Sequence, residues 1–201
     1  MTRYPLANTP LRTILLTAAV LMLAGCSTRL SHTNFPEITF RNSPPIAIAV
    51  EEIVAVSGYV PPAKPPNVEH LFPYPPGRIA LRWPGDRLAA AGSSGTVRYV
   101  VLDASVVESD LAVESGIEGA FTNEQSERYD ATVVVELEIL DVANRRVGIV
   151  RVIAKRSTTV AEAASVHVRE RAWFALTEAL MNDLDQELES TIRRELSAYL
   201  L

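Results

Sequence analysis

The chain carries one cysteine, Cys26, and three histidines, His32, His70 and His167, among 201 residues. A single thiol excludes an internal disulfide and cysteine-based metal sites, and no two histidines stand at metal-ligand spacing. Phosphate-binding glycine loops and dinucleotide fingerprints are absent. Neither sign of charge dominates: 19 Lys and Arg against 24 Asp and Glu leave a net charge of −5. Nothing electrostatic therefore draws the chain to nucleic acid or to an anionic lipid surface. Ser105 or Ser165 can be set beside His167 and Asp103 as a triad on paper, yet nothing local resembles a nucleophile elbow. No catalytic residue, metal or cofactor is assigned, and the chain is expected not to be an enzyme.

What is present begins at the N-terminus. Arg3 and Arg12 lead without a nearby acid, the run from Thr13 to Met22 is uncharged and mostly apolar, and small residues then reach Cys26. That is the layout of a secretory signal, and the run falls short of the roughly 20 apolar residues of a membrane-crossing helix. Leu23-Ala24-Gly25-Cys26 resembles the lipobox of bacterial envelope lipoproteins. The resemblance implies removal of residues 1–25, a diacylglycerol group on the Cys26 sulfur and an N-acyl group (palmitate, for example) on the new terminus. Two or three acyl chains, at about 0.8 kcal/mol per buried methylene, anchor stably where one is marginal. Ser27 follows, not the Asp of an inner-membrane retention signal, so the expected address is the periplasmic leaflet of the outer membrane. Losing Arg3 and Arg12 takes the net charge from −5 to −7 (−5 − 2).

Ser27 to Pro45 is polar and without sustained periodicity, and it reads as a flexible tether reaching roughly 60 Å. Docking of Phe35, Ile38 and Phe40 on the domain or on a partner is the alternative. About 155 residues remain for a single core, and 48% hydrophobic with 21% charged residues is a globular composition. Ile46 to Val56 is β-branched and predicts the first strand. A strap at 59–76 follows, with seven prolines between Pro61 and Pro76 that forbid regular strand or helix. It is either a partner-docking surface anchored by Tyr59, Leu71, Phe72 and Tyr74 or a stiff crossover over the core edge. Pro76 opens a helix carrying Ile79 and Trp83, which Pro84 breaks or restarts. Thr96 to Val107 is the next strand, and Glu108 to Arg128 is acidic and loop-like with room for a short extra strand.

Tyr129 to Asp141 and Val147 to Ser157 alternate as a hairpin, with Leu137 placed opposite Val152 and Glu138 opposite Arg151. Thr159-Val160-Ala161-Glu162 predicts a capping box and a helix to the C-terminus. Its apolar line, Trp173, Leu176, Leu180, Leu184, Leu188, Ile192, Leu196 and Tyr199, advances mostly in fours, and each such step drifts about 40°. One flat sheet does not cover both ends of such a line. Either the helix bends and wraps, or Leu188, Ile192, Leu196 and Leu200 are covered by the proline strap or by another chain, which makes Leu188, Ile192 and Leu196 candidate partner contacts alongside the strap residues.

The predicted fold is α+β: a small, mainly antiparallel sheet in β-α-β-β-β-α order, helices on one face, and a long C-terminal helix. Behind a lipobox, with Ile48-Ala49-Val50, Arg82-Trp83, the strand from Tyr129 to Leu140 and the closing helix, this order resembles two lipoprotein groups. One is the plug lipoprotein of lipopolysaccharide assembly; the other is the auxiliary lipoprotein of ABC-type lipid transport. The resemblance implies a non-catalytic accessory protein that binds an envelope protein. A lipid-carrying module and an envelope hydrolase with a pocket near His70 or His167 are the rival classes.

Overall fold

The computed structural model describes residues 35–111 and 125–201. The expected signal segment, Cys26, His32 and the extra strand sought near Ile117 and Phe121 lie outside the described residues. Side-chain alternation builds the main sheet. β1 (Ile46–Ile48) and β2 (Glu52–Ser57) are short; β3 (Leu88–Ala90) follows the first helix. β4 (Thr96–Asp110) hides Val97, Tyr99 and Val101, then Ala104 and Val106, because a bulge between Val101 and Asp103 switches its parity. β5 (Gln125–Leu140) hides Tyr129 through Ile139 at every second position, and β6 (Arg146–Ala161) hides Val150, Val152 and Ala154. The order is β2-β4-β5-β6, antiparallel except for β2, which runs parallel to β4. A second sheet pairs β1 with β3 in parallel.

Helix α1 (Pro76–Arg87) lies over β4 and β2, and α2 (Val166–Glu195) lies over β6 and β5. The protein is an α+β fold with a mainly antiparallel four-stranded sheet, a small parallel sheet and a long C-terminal helix.

The expected first strand divides in two. Ile46, Ile48 and Val50 are buried, but at Val50 the chain leaves one sheet for the other: its N–H turns back to the Ile48 carbonyl at 2.8 Å, and Glu51 bonds to Gly95 at 3.0 Å. The return strand presses so closely here that a side chain at Gly92 would lie 2.4 Å from the Ala49 carbonyl carbon. The C-terminal residues flank β1 on its other side, through Ala49 N–H to the Tyr199 carbonyl at 2.8 Å and Leu201 N–H to Ala47 at 3.1 Å.

Pro84 neither breaks nor restarts α1. Proline lacks the N–H that would bond to the Ala80 carbonyl, and the buried Tyr99 hydroxyl donates to that carbonyl instead, at 3.0 Å. A fully buried Trp83 then stacks on Tyr99 at 5.7 Å.

The hairpin register differs by two residues from the expected one: Leu137 faces Val150 and Glu136 faces Arg151. Parity is unchanged, so the same side chains reach the core. The turn decides the offset. Asp141 Oδ1 accepts the N–H groups of Ala143 and Arg145 at 2.9 Å each, Asn144 adopts φ of 57°, and Val147 is passed over in the ladder.

The capping box does not form. Thr159, Val160 and Ala161 remain paired with Arg128, Glu127 and Gln125, so the strand outlasts the local helix signal. Ser165 caps α2 instead, its hydroxyl accepting the Val168 N–H. The buried face of the helix is also wider than its leucine line. Thr177, Met181 and Thr191 are buried with the leucines, and Thr191 lies about five full turns beyond Trp173 at 3.6 residues per turn. Leu188, Ile192 and Leu196, expected as partner contacts, belong to the chain's own core at 0%, 0% and 2% exposure.

Candidate functional site

The strap resolves into a crossover. Where β2 ends, the strap takes over the edge of β4: Val68 N–H bonds to the Val106 carbonyl and Glu108 N–H to the Pro66 carbonyl, both at 2.9 Å. A 3-10 turn at Glu69–Leu71 then carries a buried carboxylate. Glu69 accepts the Tyr59 hydroxyl at 2.7 Å on one oxygen and the Val106 N–H at 3.1 Å on the other. Burial and the Glu69 carboxylate beside it push the Tyr59 phenol well above its ordinary value.

The four strap residues expected as docking anchors separate accordingly. Phe72 is buried, stacked on Trp173 at 4.9 Å and edge-on to Tyr129 at 6.4 Å, so it belongs to the core. Tyr59 and Tyr74 are half-buried, and the Tyr74 hydroxyl donates to the Phe35 carbonyl at 3.2 Å. Leu71 is exposed, at 54%. Beside it the strap and the start of α1 enclose an open pocket of about 470 Å³, lined among others by Tyr59, Glu69, His70, Arg78 and Leu81. Its walls are mostly proline, aromatic and aliphatic surface, with Arg78 and His70 exposed. Such a pocket suits a small apolar group; both oxygens of its one buried acid are already taken by Tyr59 and Val106.

The residues of the paper triad serve local structure. Asp103 Oδ1 accepts the Ser105 backbone N–H at 3.0 Å, Ser165 caps α2, and His167 is exposed in the first turn of that helix. Among the described residues there is no grouping of three or more His, Cys, Asp or Glu able to hold a metal, and no helix long and apolar enough to cross a membrane.

Residues 35–45, expected as flexible tether, are docked instead. Phe35 stacks on Phe174 at 4.7 Å, while Ile38 and Phe40 are buried. Arg41 Nε donates to Asp86 at 2.8 Å and the Phe40 N–H donates to the same carboxylate at 3.2 Å. Burial opposes the Asp86 charge, but Arg41 and that N–H outweigh it and hold the carboxyl below its ordinary value. Glu37 pairs with Arg82. At the segment's end, the wholly buried Arg87 donates to the Pro44 carbonyl at 2.5 Å, to Asp185 at 2.7 Å and to Glu189. The sequence signal was present in the alternation of Ile38 and Phe40; the many polar and proline neighbours obscured it.

The sheet face away from the helices has no covering element among the described residues. Across it, Glu138 is buried between Arg98 and Arg146. Burial works against its charge, yet the two guanidiniums hold its carboxyl below the ordinary glutamate value. Ile149 and Ile153 on β6 are exposed at 40% and 54%.

No protein-family model and no curated protein matches the chain. Among solved structures it is similar to a minor lipoprotein from Acinetobacter baumannii, at 15% identity and a TM-score of 0.37, over 72% of this chain and 92% of that one. It is also similar to a neuraminyllactose-binding hemagglutinin homolog from Helicobacter pylori, at 11% identity and a TM-score of 0.32, over 78% and 93%. Likeness this distant carries no argument about function.

Proposed function

We propose that this chain is a lipid-anchored, non-catalytic accessory protein of the bacterial envelope, held by acyl chains on Cys26 and acting by binding an envelope protein. Leu23-Ala24-Gly25-Cys26, closing an Arg-flanked apolar run, is the observation that carries the reading. Ser27 favours the outer membrane, on its periplasmic side.

The docked segment changes what the anchor does. With the segment from Phe35 docked, only the chain between Cys26 and Phe35 is left to serve as tether, at most roughly 30 Å at 3.3–3.6 Å per residue, about half the reach of a tether ending at Pro45. A domain on so short a leash works beside the bilayer and meets partners embedded in it or lying on it.

Mass spectrometry of the membrane-extracted protein tests the anchor. The expected N-terminal peptide begins at Cys26 and carries two or three acyl chains. The Cys26→Ala variant should be uncleaved or leave the lipidated membrane pool. A bare Cys26 thiol on the mature protein would refute the reading. Crosslinking in intact envelopes should yield a defined protein adduct; lipid co-purifying in its place would make the chain a lipid carrier.

A further inference from the structure

The strand at one edge of the sheet is chemically unlike the rest of the chain. Among the described residues β6 pairs only with β5, which leaves its outer edge unpaired. It bears four cations, Arg146, Arg151, Lys155 and Arg156, and no Asp or Glu, in a chain of net charge −5. Exposed strand edges are templates for pairing. This one also borders an open groove of about 430 Å³ between the edge and α2, with Arg151 and Lys155 on the strand side and Asp183, Gln186 and Glu187 on the helix side. The Arg156–Asp183 ion pair spans from strand to helix there.

We propose that the β6 edge takes up an extended, acidic segment of a partner polypeptide as a fifth strand of the sheet. Main-chain bonds to the open edge supply attachment, and alternate side chains supply selection. On the uncovered face β6 presents Ile149, Arg151, Ile153 and Lys155 in sequence, apolar and cationic by turns. Arg151 and Lys155 are exposed and have no ion-pair partner within the described residues. A matching segment therefore carries alternate apolar and acidic residues on that face. On its other face, beside Asp183, Gln186 and Glu187, it carries hydroxyl or small residues. A second copy of this chain does not fit: two β6 edges would bring together only cations, with no acid on either strand. Tyr199 already donates to the Val147 carbonyl at 2.9 Å, so the open stretch lies beyond that residue, toward Thr159.

This inference goes beyond the tethered-adaptor reading and is independent of the anchor, since a peptide test is blind to where the chain sits. The probe is a fluorescein-labelled peptide, Val-Thr-Glu-Thr-Val-Thr-Glu, titrated against the full chain in detergent. Binding is expected at micromolar concentrations, and Arg151→Glu with Lys155→Glu should weaken it about tenfold at low salt. A Lys-for-Glu peptide should then bind the reversed protein better than the native one, which also shows that the variant is folded. Methylating alternate peptide nitrogens on the strand-facing side should abolish binding. No binding at about 1 mM peptide, or binding indifferent to N-methylation or to charge reversal, would overturn the proposal.

Discussion

Arg87 joins three parts of the chain, and removing it gives the sharpest test of how residues 35–45 are held. Its side chain is wholly buried, and it donates to the Pro44 carbonyl, Asp185 and Glu189. In Arg87→Leu those acceptors lose it unequally. Asp185 keeps the Trp83 indole N–H at 2.7 Å, and Glu189 keeps Arg193 at 2.9 Å. The Pro44 carbonyl has no other donor among the described residues. Breaking a buried ion pair by deleting one partner costs about 3–5 kcal/mol, but both acids here are partly solvated, at 20% and 32% exposure. A loss near the low end, about 3 kcal/mol, is therefore expected. Urea unfolding followed by the fluorescence of the buried Trp83 and Trp173 reads it. Amide exchange at Ile38 and Phe40 should accelerate by more than elsewhere, because the segment loses its terminal clasp. Arg87→Lys keeps the charge but not the planar fork and should lie between the two. If Arg87→Leu shifted stability by less than about 0.5 kcal/mol, or loosened nothing in 35–45, the clasp would be wrong.

Tyr99→Phe should destabilise by about 1–2 kcal/mol, since the Ala80 carbonyl freed by Pro84 loses its donor. Pro84→Ala in the Tyr99→Phe background restores a backbone N–H to that carbonyl, so the two changes should couple in a double-mutant cycle rather than add. Acid should weaken the fold in a defined direction. Asp86 and Glu138 have folded-state values held below their ordinary 3.8 and 4.5. The stability they contribute is therefore full above those ordinary values and is lost as pH falls through the depressed ones. Urea midpoints from neutral pH downward should decline in that window, and Glu138→Gln should flatten the decline; an unchanged profile would remove the Arg98–Glu138–Arg146 cluster from the account.

The hairpin, the α+β class and the long closing helix were legible because each rests on local periodicity, whose parity survives a misplaced turn. The two-residue register offset around Asn144 was not, since the side-chain bonds of Asp141 set it. Pro84 read as a breaker because the compensating hydroxyl comes from Tyr99, on another element. The docking of residues 35–45 was equally hidden, as its partners, Asp86, Arg87 and Phe174, are remote in sequence. Thr177 and Thr191 were missed on α2 because the leucine spacing drew attention from polar residues that are nonetheless buried.

By itself, then, the order of residues determined the alternating faces, which depend on near neighbours along the chain, and it alone carries the proposed leader and lipid anchor. Tertiary structure alone decided that the strap is a crossover, that Phe72, Leu188, Ile192 and Leu196 are core, and that residues 35–45 are docked. Those outcomes hang on contacts between distant segments, where burial and the pairing of otherwise unsatisfied polar groups overrule what each stretch would prefer alone.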